Sequence, residues 1–150
     1  RQSFLKSKFK NDVLEMMGKI YSHKFDTISE LNIYAFELIS NYFDYSKDFI
    51  LSSSLDINSN SSQRLLDITN ALNGKKYITG LGALKYIDYS IFEDEKISLE
   101  YMKYNLNIYK QQFLNFTPYV TILDLIANEG KGGINYVSSK SIYWKDFIDE

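Results

Sequence analysis

The chain has no cysteine. That absence removes disulfides, thiol nucleophiles and thiolate metal sites together, so no metal centre is expected, and it fits a reducing compartment, with the cytoplasm as the expected location. There is one histidine, His23. A lone imidazole can act as acid or base, but no carboxylate or nucleophile is fixed beside it in sequence, and a surface or helix-capping place accounts for it more simply. No apolar run approaches the ~20 residues that a spanning helix needs, and the amino-terminus lacks the apolar centre of a signal peptide, so no membrane span is expected. Charge of one sign is not in excess either. Seventeen basic against nineteen acidic residues leave a net charge of −2, too little to draw in a polyanion, which disfavours nucleic acid as a partner.

What is present is an ordinary globular composition, 45% apolar and 24% charged over 150 residues, the size of a single α/β domain spanning 1–150. Thirteen tyrosines and ten phenylalanines supply large buried areas, with hydroxyls that need partners or water. Arg1 is not a start methionine and the chain opens inside an amphipathic pattern, which points to a piece of a longer protein.

The most informative stretch runs from Asn58 to Phe92. Ser61 or Ser62 can cap a helix that shows Leu65, Ile68 and Leu72 on one face and stops at Gly74. Lys76 to Thr79 is a short β-prone run, and Gly80-Leu81-Gly82 lets the backbone leave it at angles a side chain would forbid. In α/β domains such turns at strand ends receive ligands, anions above all. Arg64 stands in the first helical turn, where a cation opposes the helix dipole. An anion held by Arg64 and the Ser61 and Ser62 amides would explain it, and so would a salt bridge to a surface carboxylate. Gly80 and Gly82 are not a dinucleotide fingerprint, because Lys85 occupies the place of the third glycine. Lys85 could reach an anion over that turn and Asp88 could accept from a sugar hydroxyl. Solvated helix positions serve equally for both.

Upstream, Leu5, Phe9, Val13, Met16, Met17 and Ile20 mark an amphipathic helix whose lysines face away. Thr27 and Glu30 have capping-box spacing before a second helix carrying Ile28, Leu31, Ala35, Leu38, Ile39 and Tyr42. Lys47 to Ser52 has the apolar centre of a short buried strand. The serines that follow, through Ser62, form either a flexible linker or a binding loop. Downstream, Ile97, Leu99 and Tyr101 alternate with polar residues as a strand, and Tyr104 to Phe116 is irregular. Thr121 and Asp124 resemble a capping box before a helix ending at Gly130. Ile142, Trp144, Phe147 and Ile148 give an aromatic tail for the core or for another copy of the chain. Strands 48 to 52, 76 to 79 and 97 to 102 are thus expected in one mostly parallel sheet flanked by helices, with the two amino-terminal helices packed on it.

The series SSQRLLDI, YITGLGALKYID and FTPYVTILDLIANEG resembles the carboxyl-terminal two-thirds of the WbqC-like family. The residues that carry it are Ser62, Arg64, Tyr77, Gly80, Gly82, Tyr86, Asp88, Phe116, Pro118, Leu123, Asp124, Leu125, Asn128 and Gly130, over roughly residues 45 to 130. The His and Tyr-Phe-x-Pro run that usually opens the family has no counterpart here, and Ala83 replaces a frequent glycine. The resemblance implies a Rossmann-like α/β fold. It also implies a role in bacterial surface-polysaccharide (O-antigen-type) synthesis, transferring an amino acid such as glycine to a sugar. The expected ligand is a small molecule or sugar, with a nucleotide or nucleotide sugar as cofactor, held by Ser61, Ser62, Arg64, Thr79, Gly80, Gly82, Lys85 and Asp88. No catalytic residue can be named. A non-catalytic nucleotide-binding or glycan-binding module and an interaction domain are the competing readings.

Overall fold

The computed structural model describes residues 4–45, 49–113, 115–137 and 139–148. It contains mixed α and β structure in two compact units, one formed by Arg1–Lys47 with Asn105–Ser138 and the other by Asp48–Tyr104 with Ser139–Glu150.

The first unit is helical. α1 (Lys10–Ser22) and α2 (Ile28–Tyr42) meet α5 (Ile122–Glu129) around Val13, Met16, Ile126 and Ala127. The α2 start follows from its sequence. The Thr27 hydroxyl accepts the Glu30 N–H at 3.1 Å, and the Glu30 carboxylate reaches back to the Asp26 N–H at 2.9 Å, a capping box displaced by one residue. Only the carboxyl-terminal half of the expected apolar face packs, through Leu38, Ile39 and Tyr42, while Ile28 and Leu31 are exposed. The two helices close their core with α5, where packing on the sheet was expected. At the start of α5 no box forms: the Thr121 side chain caps nothing, and the Asp124 carboxylate accepts the Tyr109 hydroxyl at 2.8 Å instead. His23 caps the end of α1 and stacks on Tyr34 at 4.9 Å.

The second unit carries the sheet. β1 (Lys76–Thr79) pairs in parallel with β2 (Ser98–Tyr104), and β2 pairs antiparallel with β3 (Ser139–Tyr143). Its strand order is β1-β2-β3, so the sheet is mixed. α3 (Ser61–Ala71) precedes β1, α4 (Tyr89–Asp94) lies in the crossover between the parallel strands, and α6 (Trp144–Ile148) follows β3. Leu66, Ala83, Ile87, Phe92, Ile97, Leu99 and Tyr101 form the core. The alternation read at 97 to 102 is that of β2, whose Leu99 and Tyr101 are fully buried.

No strand forms over the described part of the 48 to 52 stretch; Lys47 and Asp48 lie outside the described residues. Ser52–Ser54 is a 3-10 turn. The Leu51 carbonyl accepts both the Ser54 N–H at 2.9 Å and the Ser54 hydroxyl at 2.7 Å, and Arg64 takes the Ser52 carbonyl. Local serine bonds and one guanidinium thus use the acceptors that a ladder would need.

Candidate functional site

The Ser62 hydroxyl has left the α3 start that it was expected to cap. Asn60 is the capping residue, without a side-chain bond, and the buried Ser62 Oγ accepts the backbone N–H of Asp88 at 2.9 Å. Asp88 in turn caps α4: one carboxylate oxygen accepts the Ser90 N–H at 3.1 Å and the Ser90 hydroxyl at 2.7 Å. Asp-x-Ser before an apolar pair is a start signal for α4 that the sequence reading passed over.

Beside this cap lies a recess of about 540 Å³, lined by Tyr86, Ile87, Asp88, Tyr89, Ser90, Glu93 and Trp144. Tyr86 stands 62% exposed on it. Trp144 stacks against Tyr89 with ring centroids 4.1 Å apart, and the Tyr89 hydroxyl meets that of Tyr101 at 2.9 Å. Burial, then the bond to Tyr89, pushes the Tyr101 phenol well above its ordinary range. The buried Trp144 indole N–H has no partner in hydrogen-bonding geometry, which is unusual for a buried donor. Glu93 accepts the Lys145 ammonium at 2.5 Å and the Tyr143 hydroxyl at 2.9 Å. These bonds, Lys145 first, hold its carboxyl below the usual range. The lining thus combines aromatic surface with two carboxylates and the hydroxyls of Tyr86, Tyr89 and Ser90.

Of the residues expected at a ligand, Ser62 and Asp88 are brought together. Ser61 is exposed at the first position of α3 with φ +54°. Arg64 donates to the Ile57 carbonyl and, at 3.2 Å, to the Ser52 carbonyl. Thr79 ends β1 opposite Tyr101, and Lys85 is exposed at the end of a 3-10 turn whose Ala83 is buried. Gly80 is extended at φ −85°, a conformation open to any residue, and a Cβ at Gly80 or Gly82 would meet nothing within 4 Å. The backbone does not require these glycines, contrary to the reading from sequence; they leave space at the strand end. Sequence reasoning missed Tyr89, Ser90, Glu93 and Trp144 as lining residues, although a single tryptophan followed by a lysine was a usable signal. Among the described residues no group of three His, Asp or Glu side chains could hold a metal ion, and no helix is long and apolar enough to cross a membrane.

The WbqC-like protein family model matches residues 1–136. The chain belongs to the WbqC-like protein family. The match takes in the amino-terminal helices as well as residues 45 to 130, over which the resemblance was stated. The chain is also similar to the uncharacterized protein Rv1507c of Mycobacterium tuberculosis, with 26% identity over 128 residues, covering 84% of this chain and 55% of that protein. It therefore spans about half the length of the curated relative it matches. No solved structure matches it. Of the residues that carried the WbqC-like resemblance, Tyr86 and Asp88 line the recess.

Proposed function

We propose that this WbqC-like chain is part of a cytoplasmic transferase of bacterial cell-surface polysaccharide (O-antigen-type) assembly, which joins an amino acid such as glycine to a sugar. The recess beside α4 receives the sugar. One observation carries this reading: Tyr86 and Asp88, both among the family-like residues, line the same recess as the single tryptophan. Aromatic surface with a few convergent polar groups suits a sugar, which has apolar ring faces and hydroxyls around its edge. Ser62 acts through Asp88, and Arg64 acts by tying down the loop before α3. Ser61, Thr79, Gly80, Gly82 and Lys85 are the candidates for the phosphate end of a nucleotide sugar. The strand, glycine turn, helix and parallel strand from Lys76 to Tyr104 support a Rossmann-like ancestry for this unit. In this reading the residues that perform the chemistry are assigned to the part of the Mycobacterium relative's length that this chain does not span.

A glycan-binding or nucleotide-binding module without catalysis is the second reading. It is favoured by the bonding of the two carboxylates, since Asp88 is engaged by Ser90 and Glu93 by Lys145 and Tyr143, which leaves neither poised as a general base. Calorimetric titration of the chain with a panel of nucleotide sugars and ATP tests the shared claim. Saturable binding of a sugar nucleotide, weakened about tenfold by Tyr86→Ala, supports the recess as the sugar site. No heat with any member of the panel removes it. A full-length relative that transfers an amino acid to a sugar and loses the activity with Tyr86→Ala separates enzyme from module.

A further inference from the structure

The edge of the recess already holds one ammonium group, the chain's own. Lys145 Nζ lies 2.5 Å from Glu93 Oε1 and 5.2 Å from the centroid of the Trp144 ring. Both of those partners line the recess, and Asp88 supplies a second carboxylate. No basic residue is among the lining residues, so an anionic group would be repelled there. A carboxylate beside an indole ring is the environment that an organic cation prefers, through a charge-assisted hydrogen bond on one side and the ring quadrupole on the other. The Lys145 side chain is 52% exposed, and a solvent-exposed pair of this kind is readily exchanged.

We infer that the recess binds its ligand through a primary ammonium group, which takes the place of the Lys145 ammonium against Glu93 and Trp144. The inference rests on the assignment of this recess as the ligand site in the proposed function. It adds the charge and chemical class of the group that is recognised. A primary ammonium can come from an amino sugar or from an amino acid, and the same contacts would serve both.

Two matched pairs separate these sources: methyl glucosaminide with methyl N-acetylglucosaminide, and glycinamide with N-acetylglycinamide. Each is titrated into the intact chain at a pH where the amines are protonated. The indole N–H resonance of the single tryptophan reports binding directly. In at least one pair the charged member should shift that resonance and bind at least about tenfold more tightly than its acetylated partner, and the pair that responds identifies the source. Lys145→Met keeps the apolar stem and removes the competitor, so it should tighten binding of the amine several-fold. Glu93→Gln should abolish the preference for charge, with circular dichroism confirming that both variants fold. Equal affinity within both pairs, or weaker amine binding by Lys145→Met, overturns the inference; if neutral sugars still bind, the sugar-site reading stands. If no member of either pair shifts the indole resonance, both fall.

Discussion

The hydroxyl of Ser62, in the first turn of α3, accepts the backbone N–H of Asp88, the residue that caps α4, at 2.9 Å. The bond is buried at Ser62, which is 5% exposed, and it fixes the backbone of a residue that lines the recess. Ser62→Ala leaves the Asp88 N–H without that acceptor and should cost about 0.5 to 1.5 kcal/mol, the net range for one intramolecular hydrogen bond. Urea denaturation at constant pH measures it. A midpoint equal to that of the parent would show that the Asp88 N–H finds another acceptor without loss.

Arg64 has a role that its position on the helix did not disclose. Its guanidinium joins the carbonyls of Ile57 and Ser52, tying the loop before α3 to the helix itself. Arg64→Ala should therefore lower stability by about 1.5 to 3 kcal/mol, as for hydrogen bonds from a charged donor. Arg64→Lys should recover little, since an ammonium lacks the planar fork that spans two acceptors. Thermal melts of both variants, set beside their ligand affinities, decide between loop-tying and anion binding. Unchanged stability with weakened binding of a phosphate-bearing ligand would restore the anion role expected from sequence.

Local signals carried over into the structure where the partner was near in the chain. Thr27 and Glu30 start α2 as their spacing predicts, and the alternation at Leu99 and Tyr101 gives the buried face of β2. Failures fell where a side chain had two possible partners and sequence distance hid the better one. Ser62 bonds 26 residues away and Asp124 is engaged by Tyr109, 15 residues away, so neither serves the cap that its spacing suggested. The Phe49 to Leu51 run was apolar enough for a strand, yet the serines after it turn the backbone on itself. Trp144 and Glu93 come together only because β3 returns beside β2, a pairing that no periodicity in the sequence announces.

Glu100 makes stability depend on acid. On β2 it receives Lys76 from β1 at 2.6 Å, Ser98 at 3.1 Å and the Ser141 hydroxyl from β3. Burial pushes its carboxyl up, but the bonds from Lys76, Ser141 and Ser98 outweigh it and the net shift is downward. A carboxyl whose folded pKa lies below its unfolded value, about 4.3 for glutamate, contributes stability that is full above that value and is lost as pH falls through the folded pKa. Glu100→Gln should be less stable than the parent near neutrality, and the gap should close as the pH falls below about 4. Urea midpoints across that range test this. A gap that stays constant into acid would mean that the charge of Glu100 contributes nothing.

Gly130 closes α5 in a conformation that only glycine adopts easily, with φ +59° and ψ −143°. A Cβ built there would lie 2.7 to 2.8 Å from three atoms of the Phe9 ring, and Phe9 is itself held by its N–H bond to the Ala127 carbonyl at 2.8 Å. That bond fixes the Phe9 backbone, so the ring can relieve the contact only by leaving its rotamer. Backbone strain of about 1 to 3 kcal/mol and overpacking of similar size make Gly130→Ala costly, about 2 to 5 kcal/mol in total. A double-mutant cycle with Phe9→Leu separates the two terms, because the smaller side chain relieves the contact and leaves the backbone conformation as it is. Partial recovery is expected. Full recovery would assign the whole cost to the ring, and none would assign it to the backbone, so the cycle states why this family-like glycine is a glycine.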